Sequence, residues 1–350
     1  MINDLTGLGL RYIREAVLED GRDNLYFCLN EPAFNKTELL FQTHSDVVSG
    51  ENMPDAFKSK IEGNKLFGRG SCDAKGQFCA MIWGLKMAYT KNPEKAEKVC
   101  IALCCDEEHK HRGVDALIQK KSEVLKGVVV GEPTELSVAI ACKGSIRFRI
   151  NTYGKAAHTS TPQDGENAIY LMAKVIRIIE DYVIPKVSTT SCDLCGNATV
   201  AVSLIRGGES VNAVPDSCSI HVDRRLIPGE SWKEAYRDIE KTILEHLDNA
   251  EQELIRFEKP YLVDPSYRSD INNSFAKQFQ DVLVEQGLKS EFSGLAYGCD
   301  ASKMDGWRVP VFVFGPGSIK EAHTGNEYID LQELEKAANV YKNLILSVIY

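Results

Sequence analysis

The alternation of short apolar runs with helical patterns limits this sequence to few architectures. Leu39–Thr43, Val99–Cys104 and Gly127–Val130 are apolar and often β-branched, and each has the length of a buried strand. Gly76–Tyr89 and Val114–Lys121 have the composition of helices. Strands that alternate with helices indicate an α/β unit with a largely parallel sheet.

The middle of the sequence has a different order of elements. Ser145–Tyr153 alternates polar and apolar residues like a strand, and a helix is predicted over Asn167–Tyr182. Two more alternating strands follow at Ala198–Leu204 and Cys218–Arg224, and then an amphipathic helix at Trp232–Leu247. This β-α-β-β-α order predicts a small α+β domain with an antiparallel sheet.

After residue 274 the α/β character returns, with a helix, a short strand at Val309–Phe314 and a final helix. We therefore predict a discontinuous metal-binding catalytic domain interrupted by a smaller inserted one. The predicted boundaries are 1–144 and 260–350 for the catalytic domain and 145–259 for the inserted domain.

Composition narrows the functional classes. Of the 350 residues, 43% are hydrophobic and 26% are charged, which is typical of a globular protein. The net charge is -9 and no basic block occurs, so we do not expect nucleic acid as a partner. No apolar run is long enough to cross a bilayer, and residues 1–7 lack the basic and apolar parts of a signal peptide. We expect a cytoplasmic protein without a membrane partner.

The cysteines do not predict a disulfide framework. Their number is 11, which is odd, and reducing cytosol keeps thiols free. Cys192 and Cys195 form a lone Cys-x-x-Cys pair, whereas a zinc site of that type needs a second pair. We interpret the segment as a loop with two incidental thiols.

Polar residues with metal-binding chemistry follow the predicted strands. His44 comes directly after the first strand, and its imidazole can bind a metal ion. Asp46 is better suited to orient that imidazole or a neighbouring group. Asp73 lies in the glycine-rich turn Gly68–Gly76, where a rigid carboxylate would suit a bridge between two metal ions. Taken alone, the first pair favours an ordinary polar contact and the turn favours a helix N-cap.

Paired carboxylates follow the next strand, in Asp106–Glu108. Such groups repel each other unless they are solvated or share a cation. Successive side chains of an extended chain point apart, so one can bind metal while the other handles the proton of a water. A solvated acidic loop is the alternative. The basic neighbours of His109 and His111 predict that these two imidazoles are exposed rather than ligands.

Two further candidates complete the set. Glu132 follows the strand Gly127–Val130, and His323 lies in the glycine-rich loop Gly315–Glu327. Two imidazoles and three carboxylates at strand ends approach the number needed for two zinc ions that share one carboxylate. Oxygen and nitrogen ligands without thiolate also suit cobalt or manganese. The candidate ligands are His44, Asp73, one of the paired glutamates, Glu132 and His323.

In these motifs the sequence resembles the acetylornithine deacetylase / succinyl-diaminopimelate desuccinylase family of metallohydrolases, which also contains aminoacylases and several peptidases. The resemblance runs from about Glu19 to the C-terminus, and its five motifs occur in the family's order. It implies a zinc-peptidase-like catalytic domain with a mixed, largely parallel sheet and an inserted ferredoxin-like lid and dimerisation domain. It implies one metal ion bound by His44, Asp73 and Glu132, and a second bound by Asp73, Glu108 and His323.

The resemblance also implies roles around the metals, which are expected to be Zn²⁺, with Co²⁺ as a substitute. Glu107 would be the general base that takes a proton from the attacking water and later protonates the leaving amine. Asp46 would support a ligand. Two departures stand out: Glu107–Gly113 lacks the small, glycine-rich sequence usual after the paired glutamates, and Ala74 replaces a commoner Met or acidic residue. Neither departure removes a ligand.

The inserted segment carries the resemblance further. Gly154–Pro162 resembles the lid, where a histidine placed like His158 reaches the partner subunit's active site and stabilises the oxyanion. Residues placed like Asn212 and Arg225 bind the substrate carboxylate, a role that suits a guanidinium. Without the resemblance, His158 would be an ordinary loop histidine. A surface ion pair with Asp223 is the alternative for Arg225.

The resemblance predicts a homodimer that removes the acyl group from a small N-acyl amino acid. Gly315–Glu327 looks more like acetylornithine deacetylases than desuccinylases, which favours N-acetylornithine deacetylation in arginine biosynthesis. The alternatives are a succinyl-diaminopimelate desuccinylase, an N-acetylcitrulline deacetylase, a carrier-linked lysine hydrolase and a dipeptidase. A non-catalytic, metal-stabilised dimer that binds amino acids is a different class. The presence of every ligand and of Glu107 argues against it.

Overall fold

The computed structural model describes residues 9–29, 34–120 and 122–349. Residues 1–7, which entered the signal-peptide argument, and Lys121, the predicted end of one helix, lie outside the described residues. The described strands are β1 (Arg11–Ala16), β2 (Asp23–Cys28), β3 (Leu39–His44), β4 (Lys60–Glu62), β5 (Lys65–Phe67), β6 (Val99–Cys104), β7 (Gly127–Val130), β8 (Ala139–Cys142), β9 (Gly144–Tyr153), β10 (Ala157–His158), β11 (Ser191–Cys192), β12 (Gly196–Asn197), β13 (Thr199–Gly207), β14 (Ala213–Val214), β15 (Ser217–Leu226), β16 (Ile255–Phe257), β17 (Leu262–Asp264), β18 (Tyr267–Arg268), β19 (Ser293–Leu295), β20 (Val311–Val313) and β21 (Tyr328–Asp330).

The described helices follow the predicted pattern closely, with shifts at their ends. The predicted helix Asn167–Tyr182 begins after its N-cap Asn167 and changes to wider π-type turns at Ile179–Val183. The one predicted to begin at Val114 begins at Arg112 instead. The α-helices are α1 (Gly76–Lys91), α2 (Pro93–Ala96), α3 (Arg112–Leu117), α4 (Ala168–Ile178), α5 (Ile184–Ser188), α6 (Trp232–Leu244), α7 (Asn249–Glu253), α8 (Ser274–Glu285) and α9 (Leu331–Val348). No helix in the described part of the chain is long and apolar enough to cross a bilayer.

The chain forms two compact units. The first runs to Ala141 and returns with 268–294 and 299–350, and the second comprises 142–267 and 295–298. The second unit therefore extends beyond the predicted limit at residue 259. The reason is that β17 pairs with β9 and so remains in the sheet of the inserted unit.

The first unit is built on a mixed sheet with the strand order β1-β2-β6-β3-β7-β20-β8-β18, and β19 also pairs with β8. The central pairs β6–β3, β3–β7 and β7–β20 are parallel. The pairs β1–β2, β2–β6 and β20–β8 are antiparallel. The prediction of an α/β fold with a mixed sheet is confirmed. Because parallel strands end at one edge, the segments that follow β3, β6, β7 and β20 meet there.

The C-terminal helix α9 packs on one face of the sheet and contacts the strands near this edge. Its Tyr341 is fully buried, and the hydroxyl donates to the carbonyl of Phe314, just after β20, at 2.8 Å. The ring lies 4.8 Å from that of Phe41 in β3. Helix α1 approaches so closely that a Cβ on Gly84 would lie 2.7 Å from Cβ of Tyr341. The helix pair therefore needs a glycine at this position.

The inserted unit has an antiparallel sheet with the order β13-β15-β9-β16, and β17 also pairs with β9. Along β9 the buried side chains of Ile146, Phe148 and Ile150 alternate with more exposed ones, and residues of α4 and α6 belong to the same core. This is the α+β arrangement predicted from the element order. The loop predicted at Cys192–Cys195 is the turn of a small hairpin, in which β11 and β12 pair.

Candidate metal centre

His44 lies at the end of β3 with its ring almost fully buried. Its Nδ1 contacts the backbone carbonyl of Asp46 at 3.0 Å, and its Nε2 lies 2.9 Å from Oδ1 of Asp73. The carboxylate of Asp46 is farther from the ring, at 3.7 Å. The imidazole is therefore oriented by a backbone group, and its other nitrogen faces Asp73.

Asp46 supports the paired glutamates through their backbone. Its two carboxylate oxygens accept the N–H groups of Glu107 and Glu108, each at 3.1 Å. Both glutamate side chains are only 12% exposed, so the segment is not a solvated acidic loop. Asp46 thus orients a neighbouring group, which is one of its two predicted uses.

Asp73 lies in the single π-type turn Ser71–Lys75, between β5 and α1. Its backbone is extended rather than helical, with φ -128° and ψ 95°. The N-cap of α1 is Lys75, without a side-chain cap. The simpler interpretation of Asp73 as a helix N-cap is therefore wrong, because its carboxylate is engaged elsewhere.

The carboxylate of Glu327 holds this turn in place. Its Oε1 accepts the backbone N–H groups of Gly70, Cys72 and Asp73 at 2.9, 3.0 and 3.1 Å. Its Oε2 accepts from a guanidinium nitrogen of Arg69 at 2.7 Å, and both side chains are at most 1% exposed. Sequence reasoning missed Glu327 because its partners lie more than 250 positions away, and the only signal was a Glu that closes the His323 loop.

The five predicted ligands come together as two triads that share one carboxylate. In each triad, ligand atoms of the three side chains lie within 4.8 Å of one another. Nε2 of His323 lies 2.9 Å from Oε1 of Glu108 and 3.2 Å from Oδ2 of Asp73. Because the other oxygen of Asp73 faces His44, this aspartate belongs to both groups. The triads are His44, Asp73 and Glu132, and Asp73, Glu108 and His323.

The imidazoles and the shared carboxylate form ion pairs. Burial lowers the pKa of His44, but the hydrogen bond to Asp73 and the charge of Glu107 outweigh it and raise the pKa well above its ordinary value. Burial raises the pKa of Asp73, but hydrogen bonds from His323 and His44 bring it far below its usual range. Hydrogen bonds to Asp73 and Glu108 raise the pKa of His323 to about 10.

The pKa values of two other carboxyl groups, those of Glu107 and Glu132, are raised. Burial raises the pKa of Glu107 to about 8, opposed by the charge of His44 and reinforced by that of Asp300. Burial and the charges of Asp73 and Glu107 raise the pKa of Glu132 well above its ordinary value. The clustered carboxylates therefore favour positive charge in the centre. Imidazole and carboxylate donors without thiolate fit two divalent cations such as Zn²⁺ that share Asp73.

The prediction that His111 is exposed is wrong. Its side chain is 13% exposed, and its Nδ1 lies 2.8 Å from Oδ1 of Asp300. His109 is exposed, in agreement with the prediction. The local basic residues misled the prediction, because the ring of His111 contacts the buried carboxylate of Asp300, which lies 189 positions away in the chain.

The other predicted site residues belong to the inserted unit. His158 is exposed in β10 and its Nδ1 contacts the hydroxyl of Ser160 at 2.7 Å. The carbonyl of Asn212 accepts the N–H of Thr159 at 3.1 Å, so Asn212 and His158 are neighbours. Arg225 makes the alternative contact considered above, an ion pair with Asp223 at 2.9 Å.

Two triads of imidazoles and carboxylates at the strand ends of an α/β sheet are typical of one class, the metal-dependent hydrolases. Residues 40–347 match peptidase family M20/M25/M40, so the chain belongs to this family. The family resemblance seen in the sequence is confirmed. The protein is therefore a metal-dependent hydrolase of amide or peptide bonds.

Individual relatives span several substrates. The chain is 29% identical to an acetylornithine deacetylase of Buchnera aphidicola, over 89% of this chain and 81% of the relative. It is 28% identical to a LysW-lysine/LysW-ornithine hydrolase of Sulfurisphaera tokodaii, over 94% and 84%. A tripeptidase from Staphylococcus aureus has the same fold, with a TM-score of 0.77 at 19% identity over 99% of this chain and 91% of that one.

The hydrogen bonds from the Asp73 turn to Glu327 act as a clamp on this turn. Loss of the clamp should lower stability. Glu327→Gln leaves the buried Arg69 without a counter-charge, so we expect a loss of about 3 kcal/mol in the free energy of unfolding. Chemical denaturation of the metal-free protein measures it. Glu180→Gln is the control, since Glu180 forms an exposed ion pair with Arg177 at 3.2 Å. That variant should change stability by less than about 0.5 kcal/mol. Equal effects of the two substitutions would contradict the clamp.

Proposed function

We propose that this protein is a two-metal amidohydrolase that removes the acyl group from a small N-acylated amino acid, with N-acetylornithine as the favoured substrate. The observation that carries the proposal is a carboxylate shared by two ligand triads, with the buried Glu107 beside them. The named acetylornithine deacetylase relatives support the choice of substrate. The LysW-linked hydrolase and the peptidases among the similar proteins keep the alternatives open.

The two triads would each hold one ion, as the family resemblance implies. His44, Asp73 and Glu132 would hold the first, and Asp73, Glu108 and His323 the second. When bound, divalent ions supply Lewis acidity and lower the pKa of a water. The protein's part is to hold the ligands: Glu327 fixes the Asp73 turn, and Asp46 fixes the turn of Glu108.

Glu107 is assigned the proton transfer. It is nearly buried, it belongs to neither triad as we assign them, and its pKa is raised to about 8. A carboxyl group with a pKa near neutrality can both accept a proton and return it. Glu107 therefore takes a proton from the attacking water and gives one to the leaving amine.

A panel of N-acyl amino acids tests the substrate. It contains N-acetylornithine, N-acetylcitrulline, N-succinyl-diaminopimelate, a carrier-linked lysine and an unblocked dipeptide, each assayed with Zn²⁺ and with Co²⁺. We expect the highest kcat/KM for N-acetylornithine. Faster turnover of another member would reassign the substrate. Two ions bound per chain without hydrolysis of any member would instead favour the non-catalytic alternative.

The role of Glu107 gives a sharper prediction. Glu107→Gln keeps the size of the side chain but removes its capacity to accept a proton, so kcat should fall by about 10³-fold or more. Metal content, measured by elemental analysis, should stay at two ions per chain. Exposed Glu94 on α2 offers a control, and Glu94→Gln should leave kcat unchanged. Normal turnover by Glu107→Gln would sink the assignment.

We also propose that the protein is a homodimer through the inserted unit. The edge strand β13 exposes apolar Leu204 and Ile205, half or more of each, and α4 exposes Tyr170 to 75%. An apolar sheet edge of this kind is suited to a partner. His158 would then serve the partner subunit's site, as the family resemblance implies.

The substrate carboxylate is assigned to Asn212 and Arg225. The ion pair between Arg225 and Asp223 does not exclude this role. Arg147 also contacts Asp223, at 2.8 Å, so two guanidinium groups share one carboxylate and a net positive charge remains. That charge is available to a carboxylate ligand.

A mixed dimer tests the role of His158 across subunits. His158→Ala and Glu107→Gln should each be nearly inactive alone. Coexpressed in equal amounts, half of the dimers should be mixed, each with one complete site, so about a quarter of the parent activity should return. A steady-state assay of the coexpressed mixture measures it, and mixed dimers isolated through two different tags should have about half of the parent activity. Recovery no greater than the sum of the single variants would refute the exchange of His158 between subunits.

A further inference from the structure

A third cluster lies beside the two triads and consists of Glu107, His111 and Asp300. The Nδ1 atom of His111 lies 2.8 Å from Oδ1 of Asp300 and 3.8 Å from Oε1 of Glu107. The exposed fraction of these side chains is at most 13%, so the contacts are made largely out of water. The Nδ1 side of the His111 ring therefore faces two carboxylates, that of Asp300 at hydrogen-bond distance and, farther away, that of Glu107, the residue expected to act as the base.

Asp300 is itself held by the centre of the sheet. Its Oδ2 accepts from the side-chain amide of Gln42 at 2.6 Å, and Gln42 is buried in β3. The other oxygen of Asp300 contacts His111. A continuous chain of polar contacts thus connects a central strand to the ring of His111, and it restricts where that ring can lie.

His111 lies in a turn with a left-handed backbone conformation. His111 has φ 56° and ψ 25°, a left-handed conformation in which histidine is among the more tolerated residues. Its N–H donates to the carbonyl of Asp106 at 2.8 Å, which closes a tight turn before α3. From this turn the side chain reaches Asp300 and approaches Glu107.

The turn does not depend on the imidazole for its own position. Asp46 accepts the N–H groups of Glu107 and Glu108. The carboxylate of Asp106 binds the guanidinium groups of Arg22 and Arg112, each with a contact at 2.9 Å. These contacts hold the backbone of the turn, and the ring of His111 adds its contact with Asp300 and its approach to the side chain of Glu107.

We propose that His111, held by Asp300, is a positioning residue that fixes the carboxylate of Glu107 for proton exchange with the attacking water. The inference rests on the proposed role of Glu107 as the base. A glutamate side chain has several rotamers, and a fixed ring 3.8 Å from its carboxylate in a poorly solvated site restricts which of them it can adopt. Proton transfer is sensitive to such placement, because a small displacement of the base lengthens its contact with water.

The test compares His111→Asn with His109→Asn in the zinc-loaded protein. Asparagine tolerates the left-handed backbone but is too short to occupy the place of the imidazole. We expect kcat of His111→Asn to fall by about 10- to 100-fold, with KM within about twofold and two zinc ions per chain. His109 is exposed in the same turn, and His109→Asn should match the parent protein.

A coupling measurement separates positioning from simple structural damage. Asp300→Asn should lower kcat in the same way, and the double variant His111→Asn/Asp300→Asn should be no slower than the worse single one. Multiplicative losses, or a lower zinc content in either single variant, would overturn the proposal. A third zinc ion that only the parent binds would also overturn it, because His111 would then be a ligand. If His111→Asn does not fold, His111→Gln and Asp300→Asn provide the comparison.

A readout without turnover uses crystals of the metal-free proteins. The Glu107 carboxylate should occupy one position in the parent and more than one in His111→Asn. One unchanged position in both would refute the proposal whatever the substrate. Failure of the proposal for His111 can also be distinguished from failure of the proposed function. Full activity of Glu107→Gln would remove the base itself, whereas an inactive Glu107→Gln beside a fully active His111→Asn would remove only the role of His111.

Discussion

Carboxylates outside the two triads hold the candidate metal centre in its shape. Several acidic side chains lie close together in a poorly solvated region, where they would repel one another and move apart unless their backbones were fixed. Glu327 fixes the Asp73 turn by accepting three backbone N–H groups, and Asp46 fixes the turn of Glu107 and Glu108 in the same way. The charge of Glu327 is balanced by Arg69, so this clamp adds no net repulsion.

The sheet explains why these clamps can converge. Four parallel strands end at one edge, and each is followed by a segment that carries site residues. Helix α9 fixes this edge through Tyr341, whose hydroxyl binds the carbonyl after β20. The mixed sheet therefore supplies a common edge, and the polar clamps set the separations between side chains within it.

The sequence was most informative where burial is complete. The strands Val99–Cys104 and Gly127–Val130 were predicted with their observed bounds, because a parallel strand buried on both faces is a continuous apolar run. Strand β1, at the antiparallel flank, is largely exposed and has no such run. The strands β4, β5 and β21 have three residues each, too few for a period to show.

The site residues that lie in local sequence motifs were predictable from the sequence. The ligands could be found because each follows a strand or lies in a glycine-rich loop, and their grouping followed from the family resemblance. Glu327 and Asp300 were missed because their roles depend on partners 258 positions away in the chain. His111 was misjudged because its ring contacts Asp300, which lies 189 positions away in the chain.

The clamp of Glu327 also has a consequence for how the chain folds. The Asp73 turn gains its acceptor from a residue 254 positions later, so the contact has a very large sequence separation. Contacts of this kind form late, after the intervening chain has been ordered. During synthesis, the N-terminal strands can therefore assemble before either triad exists. Metal capture should accordingly mark completion of the chain rather than template its early folding.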